Sequence, residues 1–217
     1  MGYADPMNRT SSQSAGAPAP VAGLLLAAGG GRRLGGRPKA LLPYRGRPLV
    51  EHAARVLREG GCGPVHVVLG AASDEVAERA DLSGCVPVDN PRWPEGMGTS
   101  LRAGLASLGA SGTAGAALVL LVDQPGIGAR AVARVLAAYG GSRGALASAA
   151  YGGRRGHPVL LGADRWADVA AQAEGDRGAR AYLRAHEAEI TLVECGDVAE
   201  AYDIDTPEDL VHLTGEA

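Results

Sequence analysis

The stretch LLLAAGGGRRLGGRPKALLP, Leu24 to Pro43, sets Gly29, Gly30, Gly31, Gly35 and Gly36 among Arg32, Arg33, Arg37 and Lys39. Glycines leave backbone N–H groups open to close approach, and the cations supply charge, a combination suited to a polyphosphate. Two familiar phosphate loops do not fit. Gly29, Gly31 and Gly35 are spaced GxGxxxG rather than GxGxxG, and the next apolar segment, VHVVLGAAS, ends without an acid to hold a ribose. Lys39 lies between Pro38 and Ala40, where a P-loop needs Gly before the lysine and Ser or Thr after it. Two further groups could do chemistry: Asp123, at the end of the apolar segment AALVLLVDQPGI, and the acidic turn YDIDTPEDL with Asp203 and Asp205.

These groups are far apart in sequence, so a sheet edge has to gather them. VAGLLLAA, from Val21, is a short continuous apolar run ended by glycine, as in a strand buried on both faces. PLVEHAARVLREGG places Leu49, Val50, Ala53, Val56 and Leu57 at helical spacing, with proline at the start and glycine past the end. PVHVVLG then predicts a strand, SDEVAERA a short helix capped by Ser73, and CVPVDN a third strand. GTSLRAGLASLG predicts a helix from Thr99 or Ser100, AALVLLVDQPGI a strand closing at Asp123, and ARAVARVLAAYG another helix. The alternation predicts an α/β fold: a single-domain, three-layer structure with a mostly parallel sheet flanked by helices and ligands beyond the carboxyl ends of the strands. ALASAAYGGRRGHPVLLG, RWADVAAQAEGDRGARAYLRAH and EITLVECG add strands and helices to the same layer, and DIDTPEDLVHL closes with a turn and a terminal helix. Residues 1–20, rich in Ser, Ala and Pro, read as a flexible leader, and residues 21–217 as the domain.

Composition narrows the partners. A formal net charge of -3 with no polybasic tail argues against nucleic acid or a membrane surface, and favours small-molecule chemistry. No run approaches the roughly 20 apolar residues that span a bilayer. Cys62, Cys85 and Cys195 are odd in number and widely spaced, neither a disulfide framework nor a zinc pattern, which suits a reducing cytoplasm.

Leu26-Ala27-Ala28-Gly29, Arg33-Leu34-Gly35 and Pro38-Lys39-Ala40-Leu41-Leu42-Pro43 resemble the LAAGxSxRMGxPKxLLP signature of the MobA-like nucleotidyltransferases. NPRWPEGMGTSLRAGL, LVDQP, RGHPVLL, GDRGAR and DIDTPEDL are similar, in order, to motifs of the molybdenum cofactor cytidylyltransferase branch. Two departures stand out: Gly31 replaces the family's serine, and one extra residue separates Gly35 from Pro38. The LAAG form with a Pro-Lys pair resembles cytidylyl enzymes, whereas guanylyl relatives tend to LAGG and an Asp-Lys pair.

The resemblance implies a Mg²⁺-dependent transfer of CMP from CTP, or of a nucleotide from another nucleoside triphosphate, to a phosphorylated molybdopterin-type pterin, with release of pyrophosphate. It implies nucleotide contacts from Leu26, Ala27, Ala28, Gly29, Gly30, Gly31, Gly96, Gly98 and Ser100, with Arg33 and Lys39 as the catalytic cations. Asp123 is the expected catalytic metal ligand, joined by Asp205 or, as second choice, Asp203; Asp205 also reads as an N-cap of the terminal helix. His157, Asp176 and Arg180 are expected on the acceptor side, and a transient contact with a molybdenum hydroxylase follows from the pathway. Some proteins with the same motifs are oxidoreductases of the nicotine blue reductase type, using a nicotinamide cofactor. Guanylyl transfer and a non-enzymatic cofactor carrier are further alternatives.

Overall fold

The structure, a computed structural model, describes residues 19–213; the expected leader lies outside the described residues except for Ala19 and Pro20. Strand β1 spans Val21–Leu26 and is buried along its whole length, because helices cover both faces of the sheet. Val21 and Leu25 face one apolar cluster and Ala22, Leu24 and Leu26 the other, the period of two expected of a strand. After the glycine loop and a small hairpin, β2 Pro43–Tyr44 with β3 Arg47–Pro48, helix α1 spans Leu49–Glu59. It buries the five apolar positions expected plus Ala54, each large one contributing about 1.5–3 kcal/mol by leaving water.

Strand β4 Val65–Leu69, helix α2 Ser73–Arg79 and strand β5 Cys85–Asp89 follow in the expected order. Ser73 is not the cap of α2: it is the first helical residue, and Ala72 before it holds φ 57° with no side-chain cap. Helix α3, Met97–Ser111, begins earlier than the expected Thr99 or Ser100, since the chain breaks at Gly96 with φ 110°. It lies close on β1 because Gly104 has no side chain; a Cβ there would stand 2.4 Å from Leu24 Cδ1.

Strand β6, Ala116–Leu121, ends before Asp123, which sits in the turn that follows rather than in the strand. Helix α4 Ala129–Ala137, strands β7 Leu146–Tyr151 and β8 Arg154–Gly162, helices α5 Trp166–Gln172 and α6 Arg180–Ala185, and strand β9 Thr191–Glu194 complete the layers. The order across the sheet is β5-β4-β1-β6-β8-β7-β9. Only β8 runs antiparallel among the seven, because the Gly152-Gly153 turn folds it straight back on β7. One apolar layer packs α1 and α4 on the sheet, the other α3, α5 and α6. The expected terminal helix is a 3₁₀ segment, Pro207–Leu213.

Candidate active site

The glycine loop leaves the carboxyl end of β1 at the centre of the sheet. Ala27 N–H donates to Val68 O at 2.9 Å and Ala71 N–H to Ala28 O at 3.1 Å, so the loop begins pinned to the end of β4. Gly31, at φ 59°, then opens a 3₁₀ turn, Arg32–Leu34. Leu34 N–H and Gly36 N–H both close on Gly31 O, at 2.8 and 3.0 Å. Gly35 and Gly36 both take left-handed backbone, φ 70° and 78°, and this pair absorbs the extra residue found before Pro38. At Gly31 the chain crosses itself so closely that a Cβ would stand 1.9 Å from Arg37 O. The serine of the related signature therefore has no room here.

Trp93, which nothing in its spacing marked, closes one side of this loop. Its indole would lie 3.0 Å from a Cβ at Gly30 and 2.7 Å from one at Gly70. The two glycines flank the ring, so the tryptophan packs directly on backbone.

Pro38 leads into a second 3₁₀ turn, Lys39–Leu41, fixed by Leu41 N–H to Pro38 O and Leu42 N–H to Lys39 O. This aims Lys39 back over the strand ends. Its Nζ donates to Asp123 Oδ2 at 2.7 Å and also to Asp205 Oδ1. Burial acts to lower the Lys39 ammonium, but the attraction and hydrogen bonds of the two carboxylates outweigh it and leave its pKa above the ordinary value. Burial raises Asp123 despite Lys39, with Asp203 and Asp205 adding like charge. Exposed Arg33 reaches the same cluster, Nη1 standing 3.8 Å from Asp205 Oδ2.

The acidic turn separates its two aspartates. Asp203 Oδ1 accepts from Gln124 Nε2 at 2.7 Å, while Asp205 turns to Lys39. The alternative reading of Asp205 as an N-cap does not hold, because its carboxylate bonds Lys39. Asp209, inside the terminal segment, closes the turn: its Oδ2 accepts from Asp205 N–H at 3.0 Å, Thr206 N–H at 2.7 Å and the Thr206 hydroxyl at 3.0 Å. Ile204 N–H donates to Asp123 O at 2.9 Å, which ties the turn to the end of β6. The run TPED held the signal for Asp209, a carboxylate three residues past Thr206 and able to close the turn on itself.

Two hard carboxylates meeting on a cation are the donor set that Mg²⁺ prefers, with water and phosphate supplying the rest. Asp123 and Asp205 fit that requirement, and the Lys39 ammonium already stands between them as a cation. Among the described residues no group of three or more His, Cys, Asp or Glu could hold a metal unaided.

Beside this cluster a cavity of about 340 Å³ opens beyond β1, β6 and β8. Its apolar wall includes Leu26, Leu101, Val119 and Leu161; Gln124, Asp203 and His157 are polar, and Arg155, Arg177 and Arg180 stand around them. His157 and Arg180 both line this cavity. Asp176 is exposed and does not line the cavity, whereas its neighbour Arg177 does. Arg155 and Arg177 were within quoted motifs, but a lone arginine gives no sign of where it points. Burial pushes the His157 imidazole down to about 4, with Asp203 opposing and Arg180 reinforcing that shift, so it is neutral at pH 7.

Gly96, Gly98 and Ser100 do not line this cavity. The close approach that Gly96 and Gly98 permit is to the chain itself: Cβ atoms there would stand 2.4 Å from Gly175 C and 2.8 Å from Ala173 C. Ser100 is buried, and its hydroxyl accepts from Asn90 Nδ2 at 3.0 Å beside Thr99 Oγ1 at 2.9 Å. The two glycines let the segment around Gly175 pack against the start of α3. No helix among the described residues is long and apolar enough to cross a membrane.

Comparison with known proteins bears on the family and the fold. A model of the MobA-like NTP transferase domain matches residues 23–190. The chain is 44% identical over 198 residues to a nicotine blue oxidoreductase of Paenarthrobacter nicotinovorans, covering 89% of this chain and 96% of that one. It is 40% identical over 110 residues to a probable molybdenum cofactor guanylyltransferase of Opitutus terrae, about half of each chain, 49% and 50%. Among solved structures, Rv0371c of Mycobacterium tuberculosis H37Rv in complex with manganese superposes with a TM-score of 0.72 at 25% identity, over 89% of this chain and 97% of that one.

Proposed function

The chain belongs to the MobA-like NTP transferase domain family, and from that premise we propose that it transfers CMP from CTP to the phosphate of a molybdopterin-type pterin, releasing pyrophosphate. The observation that carries this reading is the meeting of Lys39, Asp123 and Asp205 at the foot of the glycine loop, beside a cavity with cationic walls. Two anions have to meet for the reaction to occur, so charge neutralisation and placement are the work to be done. A phosphate oxygen of the acceptor attacks the α-phosphorus, and the bond from that phosphorus to the pyrophosphate oxygen breaks.

Within this reading each residue has a task that its position supports. Gly29 to Gly31 offer backbone donors, and Arg33 and Lys39 hold the β- and γ-phosphates and stabilise the leaving pyrophosphate. Asp123 and Asp205 would hold Mg²⁺, whose contribution when bound is to neutralise charge on the phosphate oxygens. His157, neutral at pH 7, donates or accepts a hydrogen bond in the cavity without adding charge, while Arg155, Arg177 and Arg180 attract the acceptor's phosphate. Gly96 and Gly98 shape the site by letting the 173–176 segment pack against the start of α3, and Ser100, bonded to Asn90, steadies the first turn of that helix. The manganese bound by the structurally similar Rv0371c supports a divalent ion. The choice of CTP over GTP rests on Leu26-Ala27-Ala28-Gly29 and the Pro38-Lys39 pair.

A second reading has a specific observation in its favour: the similarity to a nicotine blue oxidoreductase runs nearly the full length of both chains. A dye reductase would use the apolar wall of the cavity for a flat ring. It would leave the Lys39, Asp123 and Asp205 cluster without a task, and β4 ends at Leu69-Gly70 with no acid to hold a ribose. The test is a substrate panel with the purified full chain. Pyrophosphate release from CTP, GTP and ATP is measured with Mg²⁺ and the pterin acceptor, beside NADPH oxidation with the dye. Acceptor-dependent release fastest with CTP is expected. NADPH turnover without pyrophosphate release from any triphosphate would replace the transferase reading with the reductase.

A further inference from the structure

Lys39 is the least exposed cation at the site, its side chain 13% exposed against 76% for Arg33. It nevertheless spends its ammonium on Asp123 and Asp205 rather than on the open loop. Those carboxylates would repel one another without a cation between them. A lysine ammonium is a compact point charge on a flexible stem, and the backbone beneath this one is fixed by the Pro38–Leu42 turn, so only the side chain has to move to change partners.

We infer that Lys39 is the resident counter-cation of the Asp123–Asp205 pair, that a divalent cation displaces it there, and that the released ammonium passes to the triphosphate. The inference rests on the metal reading given above. Ammonium and dication carry like charge and need the same two oxygens, so they exclude one another. The free enzyme therefore holds a divalent cation weakly. Arg33, 3.8 Å from Asp205, borders the same opening, so the released ammonium joins it on the phosphate side. Metal and triphosphate then strengthen each other's binding by equal factors, as linkage requires, although they need not compete for a residue once both are bound.

The test measures Mn²⁺ binding directly, by the loss of the free-ion electron paramagnetic resonance signal, in wild type, Lys39→Met and Lys39→Gln, each with and without CTP. Without nucleotide, both variants are expected to bind Mn²⁺ about tenfold or more tightly than wild type. CTP should then raise wild-type affinity by a larger factor than it raises that of either variant. A crystal of the wild-type chain soaked in Mn²⁺ gives a readout that needs no variant: the ammonium should have left both carboxylates. Equal Mn²⁺ affinity in wild type and variants, or a lysine still on both carboxylates beside bound Mn²⁺, overturns the inference and leaves the metal reading standing. Absence of Mn²⁺ binding by every form, with and without CTP, overturns the metal reading and the inference together.

Discussion

Lys39 Nζ lies 2.7 Å from Asp123 Oδ2, a contact between residues 84 apart in sequence that joins the glycine loop after β1 to the turn after β6. Both strands are central and parallel, with Leu26 opposite Leu121 in register. The loops that leave their carboxyl ends are neighbours for that reason alone, and the ion pair fixes how they face each other.

Asp123→Asn keeps the shape of that contact and removes its charge. Pyrophosphate release should fall by about 100-fold or more, since a group acting on charge that develops in the reaction is lost. The fold should survive with a loss of about 1–2 kcal/mol, because Lys39 retains Asp205. Urea unfolding beside the activity assay checks both, and a near-normal rate would remove Asp123 from the chemistry.

Two glycines of one loop should respond differently to the same change. Gly35→Ala meets only the strain of left-handed backbone, about 1–2 kcal/mol, since nothing lies within 4 Å of a Cβ there. Gly31→Ala meets that strain and a clash at 1.9 Å with Arg37 O as well. Triphosphate affinity measured by calorimetry should be little changed in the first variant and reduced severalfold or more in the second.

Acid should destabilise the protein through His157. Its folded pKa of about 4 lies below the ordinary 6.5, so the neutral form contributes stability above the unfolded value, and that contribution is lost as pH falls from 6.5 through 4. The difference corresponds to about 2 kcal/mol between pH 7 and pH 4.5. In His157→Gln the drop in unfolding free energy over that interval should be smaller by about this amount. An unchanged slope would mean that the imidazole charges without cost.

Arg180→Ala tests the cavity as the acceptor site. The acceptor KM should rise about tenfold, as expected for loss of one charge-assisted contact, with kcat and the CTP affinity largely kept. Initial rates at varied acceptor separate these quantities, and a loss confined to CTP affinity would assign the arginine to the nucleotide instead.

Much of this was legible in residue order. The run Val21 to Leu26 and the spacing of Leu49, Val50, Ala53, Val56 and Leu57 report burial directly, because a strand covered on both faces has to be apolar throughout and a helix has to be apolar on one side. Lys39 and Asp123 were visible because a charged residue against a glycine loop or an apolar strand end is a costly placement without a partner. What a side chain faces is a different matter. Gly96 and Gly98 were recognisable as sites of close approach, but only packing shows that they approach the 173–176 segment. Ser100 carries a hydroxyl suited to a ligand, yet Asn90 takes it.

The sequence by itself determined the layered α/β frame, since local periodicity follows from chain-local physics, and its ordered motifs carried the resemblance that named the family. Tertiary structure decided that Asp205 rather than Asp203 joins Asp123 around Lys39. It did so because Gln124 takes Asp203 and Asp209 holds the turn, and the choice between two aspartates on one face depends on partners that adjacent sequence does not show. It also gave the extra residue before Pro38 a place, as the second left-handed glycine that closes the loop on Gly31 O, a backbone contact with no mark in the residue types.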